Sequence, residues 1–306
     1  MTHRVVLDTD IGSDVDDALA LAVLLGSPEV DLVGVTTVYG DTALRARLAA
    51  RLARLAGREV VAVAGQREPL SGRDVWWAGH EGGSFDDLGD EPISAGDGVD
   101  FLVDTVRSAP GEIDLVAIGP LTNVAAAVRA DPRFAGTLRH LYVMGGRFGH
   151  APDGGPGPRT AEHNFRSDAT AAHLVHAAGI RSTTTGLDVT TTVRLGRAAV
   201  DRIGAAGALG AALRAEPAVV AVHRRAGQRP ARPGDGTDDA GARPVRVCPR
   251  HRVGRRRRRL QYLHRRYRSG AGRHRGRRRY RSDDHDRPHR HRRSVAGLGP
   301  PLVAPL

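Results

Sequence analysis

The chain has 306 residues, enough for one large or two ordinary domains, and a formal net charge of +12 that would by itself favour a nucleic-acid partner. That charge is unevenly divided: residues 1–221 hold 20 Arg against 28 Asp and Glu, a net of −8, whereas residues 222–306 hold 26 Arg against 6 Asp, a net of +20. This division of charge predicts an acidic globular domain, residues 1–221, followed by an Arg-rich tail, residues 222–306. The single cysteine, Cys248, excludes a disulfide framework and a cysteine-based zinc site.

Strand-like and helix-like patterns alternate along the acidic domain. Continuous apolar runs predict strands at Val5–Leu7, Val30–Val38, Val60–Val63, Ile113–Ile118 and Leu141–Met144. Apolar residues at helical spacing predict helices at Asp16–Leu25, Leu44–Leu55, Phe101–Arg107, Asn123–Ala130 and Ala169–Ala178. This alternation predicts an α/β fold with a mostly parallel central sheet covered by helices. In such sheets, ligands bind beyond the carboxyl ends of the strands.

Five aspartates follow the first predicted strand within ten residues. They are Asp8, Asp10, Asp14, Asp16 and Asp17, in the stretch LDTDIGSDVDDALA. Several desolvated carboxylates repel one another and cannot all stay ionised without a nearby cation. The chain has no Lys, and no Arg lies within this acidic stretch. Because ligation by oxygen atoms alone favours Ca²⁺ or Mg²⁺ over zinc, the stretch predicts a divalent-ion site.

Other interpretations of the acidic stretch fit it less well. Asp14 or Asp16 could cap the following helix, but five acids are more than a cap requires. An EF-hand loop counted from Asp8 would need Gly and Glu at the positions where Ser13 and Leu19 stand. A phosphatase of the haloacid-dehalogenase type also begins with Asp-x-Asp, but its phosphate partner is normally Lys, which this chain lacks.

The acidic stretch resembles the N-terminal signature of the inosine-uridine-preferring nucleoside hydrolases, although two extra residues, Asp14 and Val15, precede its paired aspartates. Further motifs similar to that family follow in its order: VTTV (35–38), AIGPLTN (117–123), VMGG (143–146), AEHNF (161–165) and GLDVTTTVRL (186–195). Together they cover roughly residues 3–220. The resemblance implies an open Rossmann-like α/β fold and hydrolysis of the N-glycosidic bond of ribonucleosides to ribose and free base.

The resemblance also implies a tightly held Ca²⁺ ion and assigns residues around it. Asp10 and Asp17 would bind the ion through their carboxylates, and Ile118 would bind it through its backbone carbonyl. Asp10 would in addition take a proton from the calcium-bound water. A further set of residues would contact the ribose: Asp16, Met144, Glu162 and Asn164.

Several side chains have a structural interpretation beside the functional one. Taken singly, Glu162 is typical of an exposed loop carboxylate and Asn164 of a turn or cap residue. We expect Asn123 to cap the helix that follows it. Three more residues could either shape the mouth of a pocket or pack a long loop: Trp76, Trp77 and His80.

The sequence departs from the family pattern at three places. Pro156 stands where members often have Asn, and Asp41 stands where many have Asn, so substrate preference could be altered. The family also supplies a further calcium-ligand Asp just after a His in its C-terminal third. We find no such pair in that setting, because His285 and Asp286 lie too late in the chain, without strand or helix patterns around them.

The tail, residues 222–306, has no apolar periodicity and includes five consecutive arginines, Arg255–Arg259. Its composition predicts disorder. One interpretation is a nucleic-acid-binding segment with tyrosines available for stacking on bases. The other, which we favour, is a shift of reading frame in a GC-rich gene, which would leave the chain impaired or inactive through loss of the His-Asp motif.

Targeting and partners follow from what the sequence lacks. No apolar run approaches the roughly 20 residues of a membrane span, and the N-terminal residues do not have the pattern of a signal peptide. We therefore expect a cytoplasmic protein with no membrane partner. Its expected partner is a small ribonucleoside rather than a nucleic acid, and folded chains are expected to form a homo-oligomer.

Overall fold

The computed structural model of the chain describes residues 2–77, 79–149 and 161–215. Within these ranges the strands are β1 (His3–Thr9), β2 (Val30–Thr37), β3 (Ala62–Ala64), β4 (Ile113–Ala117), β5 (His140–Met144) and β6 (Ser182–Thr185). The helices are α1 (Asp16–Gly26), α2 (Thr42–Leu55), α3 (Gly98–Ser108), α4 (Thr122–Ala130), α5 (Phe134–Thr137), α6 (His163–Ser167), α7 (Ala169–Ala177), α8 (Leu187–Thr190), α9 (Arg197–Gly204) and α10 (Gly207–Ala215).

The six strands run parallel in one sheet, in the order β3-β2-β1-β4-β5-β6. Strand β1 lies in the middle of the sheet, and β2 and β3 follow it toward one edge. The chain then crosses to the other side of β1, where β4, β5 and β6 follow toward the opposite edge. The order of the strands therefore reverses between β1 and β4. In open parallel sheets, the crevice beyond the carboxyl ends at such a reversal binds ligands. The predicted fold class is confirmed, and the acidic stretch lies at this crevice.

The sheet is covered by helices on both faces, which explains why its central strands are apolar along their length. On one face, Val6 of β1 belongs to a buried core with Leu102 of α3. On the other face, Leu7 belongs to a second core with Leu21 of α1 and Leu48 of α2. Because successive side chains of a strand point to opposite faces, neighbouring residues of β1 enter different cores. This double anchoring fixes the end of β1, from which the acidic stretch begins.

A group of ion pairs anchors the segment that follows β3 to helix α2. Arg51 contacts Glu91 and donates a hydrogen bond to Asp87 Oδ1 at 2.7 Å, and Arg54 donates to Glu91 Oε2 at 2.8 Å. Hydrogen bonds from Arg54 and Arg51 outweigh burial and hold the pKa of Glu91 at about 2. The segment is thereby held beside α2, next to the acidic stretch.

All ten strands and helices predicted from the sequence are present, with bounds within three residues of those predicted. Five helices were not predicted: α5, α6, α8, α9 and α10. Strand β3 begins two residues later than its apolar run. The sequence does not predict β6, because its four residues, Ser182–Thr185, are Ser and Thr and form no apolar run. Its place in the sheet is decided by pairing with β5, from Leu141 to Met144.

Two features of the sequence analysis lie outside the described residues. These are the Arg-rich tail, residues 222–306, and Pro156. Within the described part of the chain, no helix is long and apolar enough to cross a membrane.

Candidate functional site

The loops after β1, β4 and β5 surround a cavity of about 390 Å³ at the carboxyl edge of the sheet. Its walls are formed by Asp10, Ser13, Asp14, Asp16, Asp17, Trp76, Ile118, Met144, Ala161, Glu162, His163, Asn164 and Leu187. All seven residues that the resemblance assigns to the ion or the sugar belong to this set. Their individual roles stay predictions, but the fold brings them to one place.

Three of the five aspartates in the acidic stretch are buried, namely Asp8, Asp10 and Asp17. Burial is the main cause of a raised pKa in each of them: the pKa of Asp8 rises to about 6, and that of Asp10 to about 7. The pKa of Asp17 is raised well above its ordinary value, first by burial and then by repulsion from Asp10 and Asp16. A cation placed among these groups would therefore find a strongly favourable potential.

The aspartates do not serve as helix caps. Helix α1 begins at Asp16, and the residue before it, Val15, makes no side-chain capping hydrogen bond. The carboxylate of Asp17 instead accepts a short hydrogen bond from the hydroxyl of Thr9, the last residue of β1. Capping by Asp14 or Asp16 is thus excluded, and both line the cavity.

Arg45 of α2 projects into the turn formed by the acidic stretch, 35 residues after Asp10 in the chain. Its side chain is only 1% exposed, and Nη1 donates to the backbone carbonyls of Asp10 and Ile11. Its Nε donates to the carbonyl of Tyr39 at 2.8 Å, and its guanidinium lies 4.9 Å from the ring centre of Trp77. The acidic stretch itself contains no Arg, as the sequence shows, but this Arg reaches it from a distant helix. The positive charge of Arg45 lowers the pKa of Asp10, but burial outweighs it.

The loop around residues 79–81 supports the outer side of the same turn. Ser13 Oγ donates to Glu81 Oε1 at 3.0 Å and accepts from Arg45 Nη2 at 3.1 Å. His80 Nε2 lies 2.9 Å from the backbone carbonyl of Ser13. His80 and Trp77 therefore pack the turn, whereas Trp76 lines the cavity and is 55% exposed.

Asn123 does not cap α4, contrary to the sequence-based expectation. Leu121 precedes the helix without a side-chain cap, and Asn123 lies in the first turn with its side chain fully buried. Its Nδ2 donates to Asp8 Oδ1 at 2.7 Å and to the Thr37 carbonyl at 3.0 Å, while its Oδ1 accepts from the Gln66 backbone at 2.8 Å. Asn123 thus joins the ends of β1 and β2 to the segment after β3.

Glu162 and Asn164 connect α6 to the ends of β4 and β5. Glu162 is the N-cap of α6, accepting from the Asn164 backbone at 2.7 Å, and it also accepts from the Gly146 backbone at 2.8 Å. Asn164 Nδ2 donates to the carbonyls of Ile118 at 2.6 Å and Met144 at 3.1 Å. Both side chains therefore have structural partners and also face the cavity.

A second cavity of about 430 Å³ shares Asp16, Asp17, Ile118 and Met144 with the first. Its remaining walls are mostly apolar: Val15, Leu19, Ala20, Thr190, Val193, Leu195 and Val200. The polar cavity and an apolar one thus lie side by side at the same edge of the sheet.

The side chains alone do not form a complete ion-binding group. Across residues 2–77, 79–149 and 161–215, no three His, Cys, Asp or Glu side chains are arranged so that they could hold a metal ion. Five carboxylates line the polar cavity, and they include the two expected ligands, Asp10 and Asp17; Ile118, whose backbone carbonyl is the third expected ligand, lines it as well. All of these donors are oxygen atoms, which suits a hard divalent cation.

Known proteins resemble this chain in both sequence and structure. The family model for the inosine-uridine preferring nucleoside hydrolases matches residues 5–237. A protein named "Probable uridine nucleosidase 2" from Oryza sativa subsp. japonica is 38% identical over 202 residues, which are 62% of this chain and 58% of the relative. An inosine-uridine preferring nucleoside hydrolase from Leishmania major is 34% identical, with 62% of each chain covered.

A solved structure of a plant nucleoside hydrolase superimposes with a TM-score of 0.65 at 32% identity, covering 74% of this chain and 73% of that one. The chain spans about 60% of the length of the curated relatives that it matches. The family match covers well over half of the 306 residues and takes in all the described strands apart from the first two residues of β1. The chain belongs to the inosine-uridine preferring nucleoside hydrolase family.

Proposed function

We propose that this chain hydrolyses the N-glycosidic bond of ribonucleosides, giving ribose and free base. The observation that carries the proposal is the polar cavity at the strand ends, which is lined by the acidic turn, the ends of β4 and β5, and the start of α6. Membership of the family supports the same activity. The names of the relatives make uridine and inosine the first substrates to test.

We infer that the acidic turn binds a divalent cation, with Ca²⁺ as the expected ion. Asp10 and Asp17 would hold it through their carboxylates, and Ile118 would hold it through its carbonyl. These donors are fewer than the roughly six to eight oxygens that Ca²⁺ takes, so water and sugar hydroxyls would complete the set. When bound, the cation supplies positive charge that offsets the crowded acids and makes water more acidic.

The polar walls of the cavity suit a ribose. The carboxylates of Asp16 and Glu162 would accept hydrogen bonds from sugar hydroxyls, Asn164 would add an amide partner, and Met144 would pack against the sugar. Hydroxyls held in this way orient the anomeric carbon toward the attacking water. The transition state of glycoside cleavage resembles an oxocarbenium ion, whose positive charge is stabilised by surrounding carboxylates.

Asp10 would act as the general base. Without an ion, burial raises the pKa of Asp10 to about 7, and the positive charge of a bound cation would lower it, so that Asp10 is ionised and able to accept a proton near neutral pH. Asp10 takes one proton of the attacking water, the water oxygen bonds to the anomeric carbon, and the bond from that carbon to the base nitrogen breaks. Arg45 fixes the backbone carbonyl of Asp10 and so restrains the direction of its carboxylate.

Removal of divalent ions should abolish hydrolysis. After dialysis against a chelator, we expect release of free base from uridine or inosine to fall to background, and added Ca²⁺ should restore it. Ca²⁺ at 100 times its Kd should also stabilise the fold by about 2.7 kcal/mol, measured as a rise in Tm. The control is chelator already saturated with Ca²⁺. Hydrolysis that persists in chelator would contradict the requirement for a divalent ion. If no base is released when Ca²⁺ is present, the proposed hydrolase activity is contradicted.

Gly119 lies against Asp10 at the end of β4, and we expect Gly119→Ala to reduce hydrolysis. A Cβ at this position would lie 2.8 Å from Val38 Cγ1, 2.9 Å from the backbone nitrogen of Asp10 and 3.0 Å from its Oδ1. The displaced carboxylate should lower kcat about 100-fold, with a loss of about 1–3 kcal/mol in folding stability. Gly136→Ala is the matched control, since its added Cβ meets nothing within 4 Å. A wild-type kcat in Gly119→Ala would contradict the role of Asp10.

A further inference from the structure

His163 is the one imidazole among the described residues that line the polar cavity, and neither the ion nor the sugar uses it in the proposed function. We propose that His163 is a further catalytic residue, which donates a hydrogen bond to the nucleobase as the N-glycosidic bond breaks. This inference rests on the proposed hydrolase function, in which His163 would be the residue that contacts the departing nucleobase.

His163 belongs to a group of aromatic rings at the rim of the cavity. Its ring centre lies 5.6 Å from that of Trp76 at an angle of 74°, and 6.1 Å from that of Tyr39 at 88°. The backbone nitrogen of Trp76 donates to the Tyr39 hydroxyl at 2.8 Å, so the three residues support one another. Trp76 also lines the cavity and is 55% exposed, so its indole offers an aromatic surface to a planar ring.

A nucleobase combines a flat apolar face with a polar edge, so its site needs a stacking surface and a hydrogen-bonding side chain. The side of the polar cavity formed by Trp76 and His163 offers both. The adjoining apolar cavity offers only Thr190 and the shared aspartates as polar side chains among its described walls. The base therefore belongs beside Trp76 and His163.

His163 would act as a neutral hydrogen-bond donor. Burial is the main cause that lowers the pKa of its imidazole, and Arg166 and Arg45 lower it further. Glu162 and Asp14 act in the opposite direction but do not outweigh burial. The neutral ring still carries one N–H group. A neutral imidazole can stabilise negative charge as it develops on a substrate.

The protons and electrons of the step balance. As the glycosidic bond breaks, its electron pair passes to the ring nitrogen of the base and spreads over the base. The Ser167 hydroxyl lies 3.4 Å from His163 Nε2, and when it donates to that nitrogen the ring proton resides on Nδ1. This N–H donates a hydrogen bond without giving up its proton. The base is protonated by solvent, and Asp10 returns its proton to solvent, so one water is consumed.

The test compares two substrates whose leaving groups differ in their need for stabilisation. Uridine releases a poor leaving group, whereas 4-nitrophenyl β-D-ribofuranoside releases a nitrophenolate that is stable as an anion. His163→Phe keeps a ring beside Trp76 but removes the N–H donor. We expect kcat for uridine to fall about 100–1000-fold and kcat for the nitrophenyl riboside to change less than about threefold. His163→Gln, which keeps an N–H donor, should recover about tenfold of the loss.

His173→Phe, at an exposed position of α7, is the matched control and should leave both rates unchanged. If His163→Phe lowers kcat equally for both substrates, the residue acts on the sugar or on the fold, and the inference is overturned. Wild-type rates on both substrates in that variant overturn it as well. Failure of the hydrolase proposal is seen separately, as a wild-type chain that cleaves neither substrate.

Discussion

The Asp10→Asn variant is expected to lose about 100–10,000-fold in kcat for nucleoside hydrolysis while retaining its fold. Asn has the same shape as Asp but neither takes a proton from water nor brings a negative charge to a cation. Because Asp10 repels Asp17, we also expect the variant to be no less stable than wild type without ions. The rise in Tm on adding Ca²⁺ should shrink. Steady-state kinetics and thermal unfolding with and without Ca²⁺ measure these effects.

The matched control is Asp31→Asn, on β2 at the opposite end of the sheet, where the carboxylate is exposed and lies 3.7 Å from Arg4. This control should keep both the activity and the response to Ca²⁺. Full activity in Asp10→Asn would contradict the assignment of Asp10 as the base. An undiminished Ca²⁺ response would contradict its assignment as a ligand, so the two roles are tested separately.

The Arg45→Met variant is expected to have the largest effect on stability. It leaves the carbonyls of Asp10 and Ile11 without their buried donor and removes a charge that lowers the pKa of Asp10 and Asp17. Loss of one partner from a buried charged network costs about 3–5 kcal/mol. For a chain of this size that corresponds to a fall of roughly 10 °C in Tm, measured by thermal unfolding.

Two further variants define what Arg45 contributes. Arg129→Met, at an exposed position of α4, should stay within about 0.5 kcal/mol of wild type. Arg45→Lys should not restore stability fully, because an ammonium group cannot reproduce the planar set of donors that reaches separate oxygen atoms. A Tm for Arg45→Met equal to that of Arg129→Met would show that the buried guanidinium does not hold the acidic turn.

The position of the acidic turn at the edge of the sheet was predictable from the sequence because it depends on local patterns. An apolar run forms β1 between two cores, and the aspartates follow it directly. The same reasoning predicts the ends of β4 and β5, which carry Ile118 and Met144. Glu162 and Asn164 were assigned from the family resemblance alone, and the structure places both on the cavity wall.

Local patterns could not predict the partners that reach the turn from distant parts of the chain. Arg45 lies on α2, whose sequence has the pattern of an ordinary amphipathic helix. The burial of Arg45 depends on how α2 packs against the sheet. Asn123 has the sequence context of a helix cap, yet the crossing from β1 to β4 brings it against Asp8. Strand β6 contains only Ser and Thr and is defined by its neighbour β5.

The sequence by itself determined the parallel sheet, the edge at which its site lies and the acidic character of that site, since each follows from patterns among neighbouring residues. The tertiary structure alone decided that Arg45 enters the acidic turn, that Asn123 joins three segments, and that His163 and Trp76 share one rim of the cavity. The reason is that burial and pairing of these side chains arise from helix packing on both faces of the sheet, which local sequence does not encode.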